Sequence, residues 1–232
     1  LDRVDSVTPT PPADLAAGID AVVDELAPTV VKTGLLPGAD SVGVVADRLR
    51  RLGTPLVVDP VLVTGTGRRL GDDEHLEAVR ALVAGATVAT PNREEAALLV
   101  GLPAGALDDV DAVVAAAGAL ANLGAGHLVV TRADDGVRVG DVVVTDAGVE
   151  VITGERIDSP HVRGTGCSFA AAVAAGLAHG AQVGDAITTA RAWVRDQLAT
   201  TRWSGPGRGP LQRRRGPAGV SGRDRRRTPR GR

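Results

Sequence analysis

Short apolar runs alternate with longer Ala- and Leu-rich stretches along most of this chain, and that alternation limits its fold more than any single residue does. Thr29 to Thr33, Pro55 to Pro60, Ala86 to Thr90 and His127 to Thr131 each read as a strand. The second of these ends at a proline, where a hydrogen-bonded ladder must stop. Between them, Asp40 to Leu52 sets Val42, Val45, Leu49 and Leu52 on one face at helical spacing. Asp72 to Val83, Arg93 to Val100 and Asp109 to Leu123 read as helices too, the last two closed by Gly101 and Gly124. Residues 137–157 change character: short runs alternate around Gly and Asp, which predicts antiparallel strands. Cys167 to His179, with Gly180 after it, and Gly184 to Ala199 complete the pattern as helices. Strands alternating with helices of ~10–15 residues predict an α/β protein with a mostly parallel, doubly wound sheet. In such sheets ligands bind beyond the carboxyl ends of the strands.

A sheet covered on both faces needs a sizeable core, and the 232 residues, 44% of them hydrophobic, can supply one. The chain has three aromatics (Phe169, Trp193 and Trp203) and no Met, so the core must be built from Val, Leu, Ile and Ala. Charge divides the chain unevenly. The segment from Arg202 to Arg232 holds 11 of the 26 basic residues and one of the 28 acids, leaving 15 bases against 27 acids, a net −12, in residues 1–201. An acidic domain of this kind does not attract nucleic acid. The Gly/Pro/Arg-rich segment 202–232 is expected to be disordered. Its Arg213-Arg214-Arg215 and Arg225-Arg226-Arg227 runs read either as a nucleic-acid patch or as a non-functional extension such as a shifted reading frame. A single cysteine excludes an internal disulfide framework. No apolar run approaches the ~18 residues of a membrane span, and no signal segment opens the chain, so a cytoplasmic location is the expectation.

Polar side chains collect where the strands end. Arg163-Gly164-Thr165-Gly166-Cys167 stands directly before a long helix. Two glycines allow a tight turn with inward-pointing N–H groups, and the helix N-terminus adds unsatisfied donors, which together suit a phosphoryl group. A tight loop packing a helix on a sheet is the other reading. Cys167, in the first turn, is expected to have a lowered pKa, or to serve as a small buried hydrophobe. Asn92 and Glu95 lie three apart at a helix start, where they could hold Mg²⁺ through water or form a capping box. Asp59 ends one strand ahead of the Gly65-Thr66-Gly67 turn, and Lys32, the sole lysine, ends another before Thr33-Gly34. Taken together these groups point to phosphoryl transfer from a magnesium nucleotide, where catalysis is mainly positioning and charge neutralisation. His161 is a candidate base or an ordinary loop histidine.

The sequence resembles the hydroxymethylpyrimidine/phosphomethylpyrimidine kinases of thiamine biosynthesis, within the ribokinase-like superfamily. The resemblance rests on Val31-Lys32-Thr33-Gly34-Leu35-Leu36, Val57-Val58-Asp59-Pro60-Val61, Ala89-Thr90-Pro91-Asn92-Arg93-Glu94-Glu95-Ala96 and the stretch from Arg156 to Cys167. It covers nearly all of residues 1–201, which it implies are one ribokinase-like kinase domain. It further implies transfer of the ATP γ-phosphoryl group to 4-amino-5-hydroxymethyl-2-methylpyrimidine and then to its monophosphate. Cys167 would be the general base, the amides of Gly164, Thr165, Gly166 and Cys167 would stabilise the transferred group, and Asn92 and Glu95 would organise Mg²⁺. Asp59, Lys32, Thr131 and Arg132 would lie at the ATP phosphates. A homodimer is also implied, and pyridoxal or pyridoxine kinase is the neighbouring alternative.

Three departures accompany the resemblance. Relatives begin roughly fifty residues earlier, with a strand and a Gly/Ser/Asp-rich loop that contacts the ring, so the sheet is expected to lack that strand. A chain starting at Leu1 is then expected to be poorly stable and weakly active, or an inactive kinase fragment, because unpaired strand edges are exposed. Relatives often carry Lys-Gly-Gly where Thr131-Arg132-Ala133 stands, and an arginine fork differs in geometry from a lysine. From Gln212 onward the likeness ends.

Overall fold

The computed structural model describes residues 6–64, 67–103, 105–134, 138–159, 162–202 and 209–211. Helix α1 (Pro12–Leu26) precedes β1 (Val31–Thr33), α2 (Ala39–Leu52), β2 (Leu56–Val58), α3 (Asp73–Ala84), β3 (Val88–Ala89) and α4 (Arg93–Leu99). Next come α5 (Val110–Ala115), α6 (Ala117–Ala121), β4 (His127–Asp134), β5 (Arg138–Thr145) and β6 (Gly148–Glu155). Strand β7 (Val162–Arg163) leads into α7 (Thr165–Ala178) and α8 (Val183–Thr200), and β8 (Gly209–Pro210) follows. The main sheet has the order β1-β2-β3-β4-β5-β6. Pairs from β1 to β4 are parallel and the two pairs beyond are antiparallel, as the change of pattern after residue 137 predicts.

Alternation along each strand separates two cores. Leu56, Val58, Leu128, Val130, Val142 and Val144 join a cluster with Val42, Leu76, Val79, Leu82, Leu99, Val113 and Leu120 from α2 to α6. Val57, Val88, Val129 and Val143 point the other way, onto Phe169, Ala170 and Val173 of α7 and Ile187, Ala190 and Val194 of α8. Helices therefore cover both faces, and the carboxyl ends of β1 to β4 come together at one rim.

Four details differ from the sequence reading. Helix α1, which opens on a proline at its first turn, has no buried residue and rests on α2 with Arg48 Nε 3.3 Å from Asp20 Oδ1. The stretch from Asp109 breaks at Ala116 into α5 and α6, with the poor helix former Gly118 just beyond the break. The short runs on either side of Gly140 are one strand, β5. Order also does not end at residue 201: β8 pairs in parallel with β7, Leu211 N donates to Arg163 O at 3.0 Å, and Leu211 is buried. Satisfied backbone groups and a buried leucine hold those residues despite the composition around them. Residues 203–208 and 212–232 lie outside the described residues, as do Gly65, Thr66 and His161.

Candidate active site

Gly164 caps α7 in the left-handed region at φ 80°, a conformation that a side chain would strain. The turn it makes delivers the chain from β7 into the helix with no side chain capping the first-turn amides, so those N–H groups remain available to a ligand. Thr165 and Gly166 line a cavity of about 320 Å³. The packing reading of the loop is realised, since the following turn carries Phe169 and Ala170 into the core against the sheet.

Cys167, one residue further, is exposed as a residue, while its sulfur is half-buried beside the Asp59 carboxylate at the end of β2. Asp59 in turn is paired with Lys32 of β1, Nζ to Oδ2 being 3.2 Å. The lowered thiol pKa expected at a helix N-terminus is not found. Burial of the sulfur, and after it the Asp59 carboxylate, push the thiol up from 9.0 to about 11, with Lys32 opposing. Loss of hydration at the sulfur is the larger cause, and the Asp59 carboxylate adds to it.

The capping reading of Asn92 and Glu95 is realised. Glu95 N donates to Asn92 Oδ1 at 2.9 Å and Asn92 N to Glu95 Oε2 at 3.0 Å, while Leu62 N reaches Glu95 Oε1 at 3.3 Å. Glu95 is buried, and desolvation followed by the neighbouring Asp59 charge pushes its carboxyl from 4.5 to about 7, against the two backbone hydrogen bonds. Two carboxylates that repel each other across a site made of hard oxygen donors fit a hydrated divalent cation. Among the described residues no three His, Cys, Asp or Glu side chains form a cage, so such an ion would draw most of its ligands from water and phosphate.

Thr131 and Arg132 line the same cavity as Thr165 and Gly166. Thr131 is tied to the Asn92 segment by a parallel bridge and by its N–H to Pro91 O at 2.9 Å. The predicted residues thus form two adjoining groups, Lys32, Asp59, Glu95 and Cys167 on one hand and Thr131, Arg132, Thr165 and Gly166 on the other. The structure adds Asp141, Arg156, Ser159, Arg191 and Arg195 to the cavity wall. Ser159 Oγ is buried with no hydrogen-bond partner among the described residues, an orphan that a ligand in this cavity could satisfy. The signal for Arg191 and Arg195 was their four-residue spacing on one helix face; Asp141 and Ser159 carried none. No helix among the described residues is long and apolar enough to cross a membrane.

Residues 2–212 match the family model described as phosphomethylpyrimidine kinase. A hydroxymethylpyrimidine/phosphomethylpyrimidine kinase of Synechococcus elongatus is 36% identical over 217 residues, 91% of this chain and 79% of that protein. The enzyme of the same description from Streptomyces coelicolor is 38% identical over 201 residues, 82% of this chain and 70% of that protein. Among solved structures, an ADP complex of Bacillus subtilis pyridoxal kinase superposes with a TM-score of 0.82 at 32% identity, covering 89% of this chain and 78% of that one.

Proposed function

The chain belongs to the phosphomethylpyrimidine kinase family, and from that premise we propose that it transfers the γ-phosphoryl group of ATP to the hydroxymethyl group of 4-amino-5-hydroxymethyl-2-methylpyrimidine, and then to the resulting monophosphate. The observation that carries this reading is the placement of Cys167 against Asp59 and Lys32, one residue from the amides that line the cavity. ATP occupies the cavity, its phosphates directed to Thr165, Gly166 and Arg132. The first-turn amides of α7 then meet the charge that spreads over the transferred group. Lys32, held by Asp59, adds a cation beside the same point.

Cys167 accepts the proton of the attacking hydroxyl. The Asp59 carboxylate beside it takes the thiol's own proton as the sulfur takes the new one. Asn92 and Glu95, with Asp59 near, would hold Mg²⁺ through water, and the ion would supply neutralisation of the phosphate charge. A homodimer is part of this reading on the family resemblance alone, and sedimentation of the full chain tests it.

Pyridoxal phosphorylation is the second reading, favoured by the 32% identity and 0.82 TM-score to the pyridoxal kinase. ADP release with MgATP and either hydroxymethylpyrimidine, its monophosphate or pyridoxal separates the two, with Cys167→Ala as control. Turnover on the pyrimidines that falls by about 100-fold or more in the variant is the expected result. Turnover confined to pyridoxal would replace the first reading with the second, and silence on all three would remove both.

A further inference from the structure

We propose that Asp141 is the positioning residue of the nucleotide cavity, fixing at once the backbone of Arg132 and the guanidinium of Arg191. This rests on the reading of that cavity as the ATP site. The β4–β5 register shifts between Val130 and Ala133, and within the shift Arg132 takes φ 66°, a left-handed conformation unusual for a residue with a side chain. Such strain persists only where surrounding groups hold it. The group that holds it is Asp141: Arg132 N donates to Asp141 Oδ1 at 3.3 Å.

The second carboxylate oxygen accepts from Arg191 Nε at 2.8 Å, and the two side chains are only 15% and 12% exposed. Gly154 lies against the ends of both arginines; a Cβ there would stand 3.3 Å from Arg191 Nη2 and 3.0 Å from Arg195 Cζ. Both oxygens of Asp141 are thus engaged by the protein, one by the Arg132 backbone and one by Arg191. The bulge decides which face Arg132 presents. Side chains alternate with a period of two, so losing the extra residue would turn Arg132 away from the rim where Thr165 and Gly166 stand.

The test measures ADP affinity by calorimetry and backbone hydrogen exchange without nucleotide, in wild type, Asp141→Ala and Asp141→Asn, each also in an Arg132→Gly background. Asp141→Ala is expected to weaken ADP by about tenfold and to speed exchange at residues 131–133 while the rest of β4 stays protected. Asp141→Asn, which keeps an acceptor, loses less. The Asp141→Ala effect shrinks in the Arg132→Gly background, because glycine takes the left-handed conformation unaided. Unchanged ADP affinity in Asp141→Ala, or an equal loss in both backgrounds, overturns the proposal while leaving the nucleotide site intact. A wild-type chain that binds no ADP removes the nucleotide reading, and this one with it.

Discussion

Cysteines in the first turn of a helix ordinarily ionise more easily, and Cys167 does the reverse because its sulfur is half-buried and an acid, Asp59, acts on it. The thiol is pushed from its ordinary 9.0 up to about 11 by burial and then by Asp59. Only the thiolate reacts with an alkylating reagent. At pH 8 the chain is therefore expected to react with iodoacetamide about 100-fold more slowly than an unperturbed thiol of equal exposure. The rate should climb until pH passes the raised value, and Asp59→Asn should move the climb to lower pH. A wild-type rate at pH 8 equal to that of a free cysteine would sink this account. The residue types were legible in the sequence: Lys32 lies within the short strand β1, Asp59 follows β2, and Asn92, Glu95 and Cys167 stand at the starts of helices. Their partners were not, since Asp59 and Cys167 are over a hundred positions apart along the chain, and a local argument weighs only the helix end.

At the scale of elements, the segment that composition marks as unstructured contributes a strand. Pairing of β8 with β7 places Leu211 in a buried position at 6% exposure, beside the strand that leads into Gly164. Leu211→Ala is expected to cost about 2 to 3 kcal/mol in chemical denaturation and to lower turnover, because β7 sets where the loop begins. Leu26→Ala, on α1 and 71% exposed, is the matched control, with a change expected within about 0.5 kcal/mol. Equal effects at the two leucines would show that β8 does not brace the loop. The α4 start is the opposite case, legible as a capping box from Asn92 and Glu95 three apart, since that interaction closes within a single turn.

For the whole molecule, one sheet supplies both cores: Val58 and Val57 are adjacent in β2 yet belong to opposite clusters. Neither layer of helices can lose its partner without exposing the other, so the domain should unfold as a single unit. Trp193, on α8, packs against the second cluster. In a Trp203→Phe background, Trp193 fluorescence and far-ultraviolet circular dichroism are expected to give coincident urea transitions; midpoints that separate would show two independently melting layers. What the sequence determined by itself was the class of fold, the parallel-to-antiparallel change and the strand-end positions of the reactive groups, because periodicity and turn chemistry act within a few residues. Only the tertiary structure decided that Asp59 acts on the Cys167 thiol, that Arg132 N meets Asp141, and that Arg191 and Arg195 line the cavity beside Gly154. Those outcomes depend on side chains far apart in the chain meeting where desolvation magnifies their charge, which no local pattern encodes.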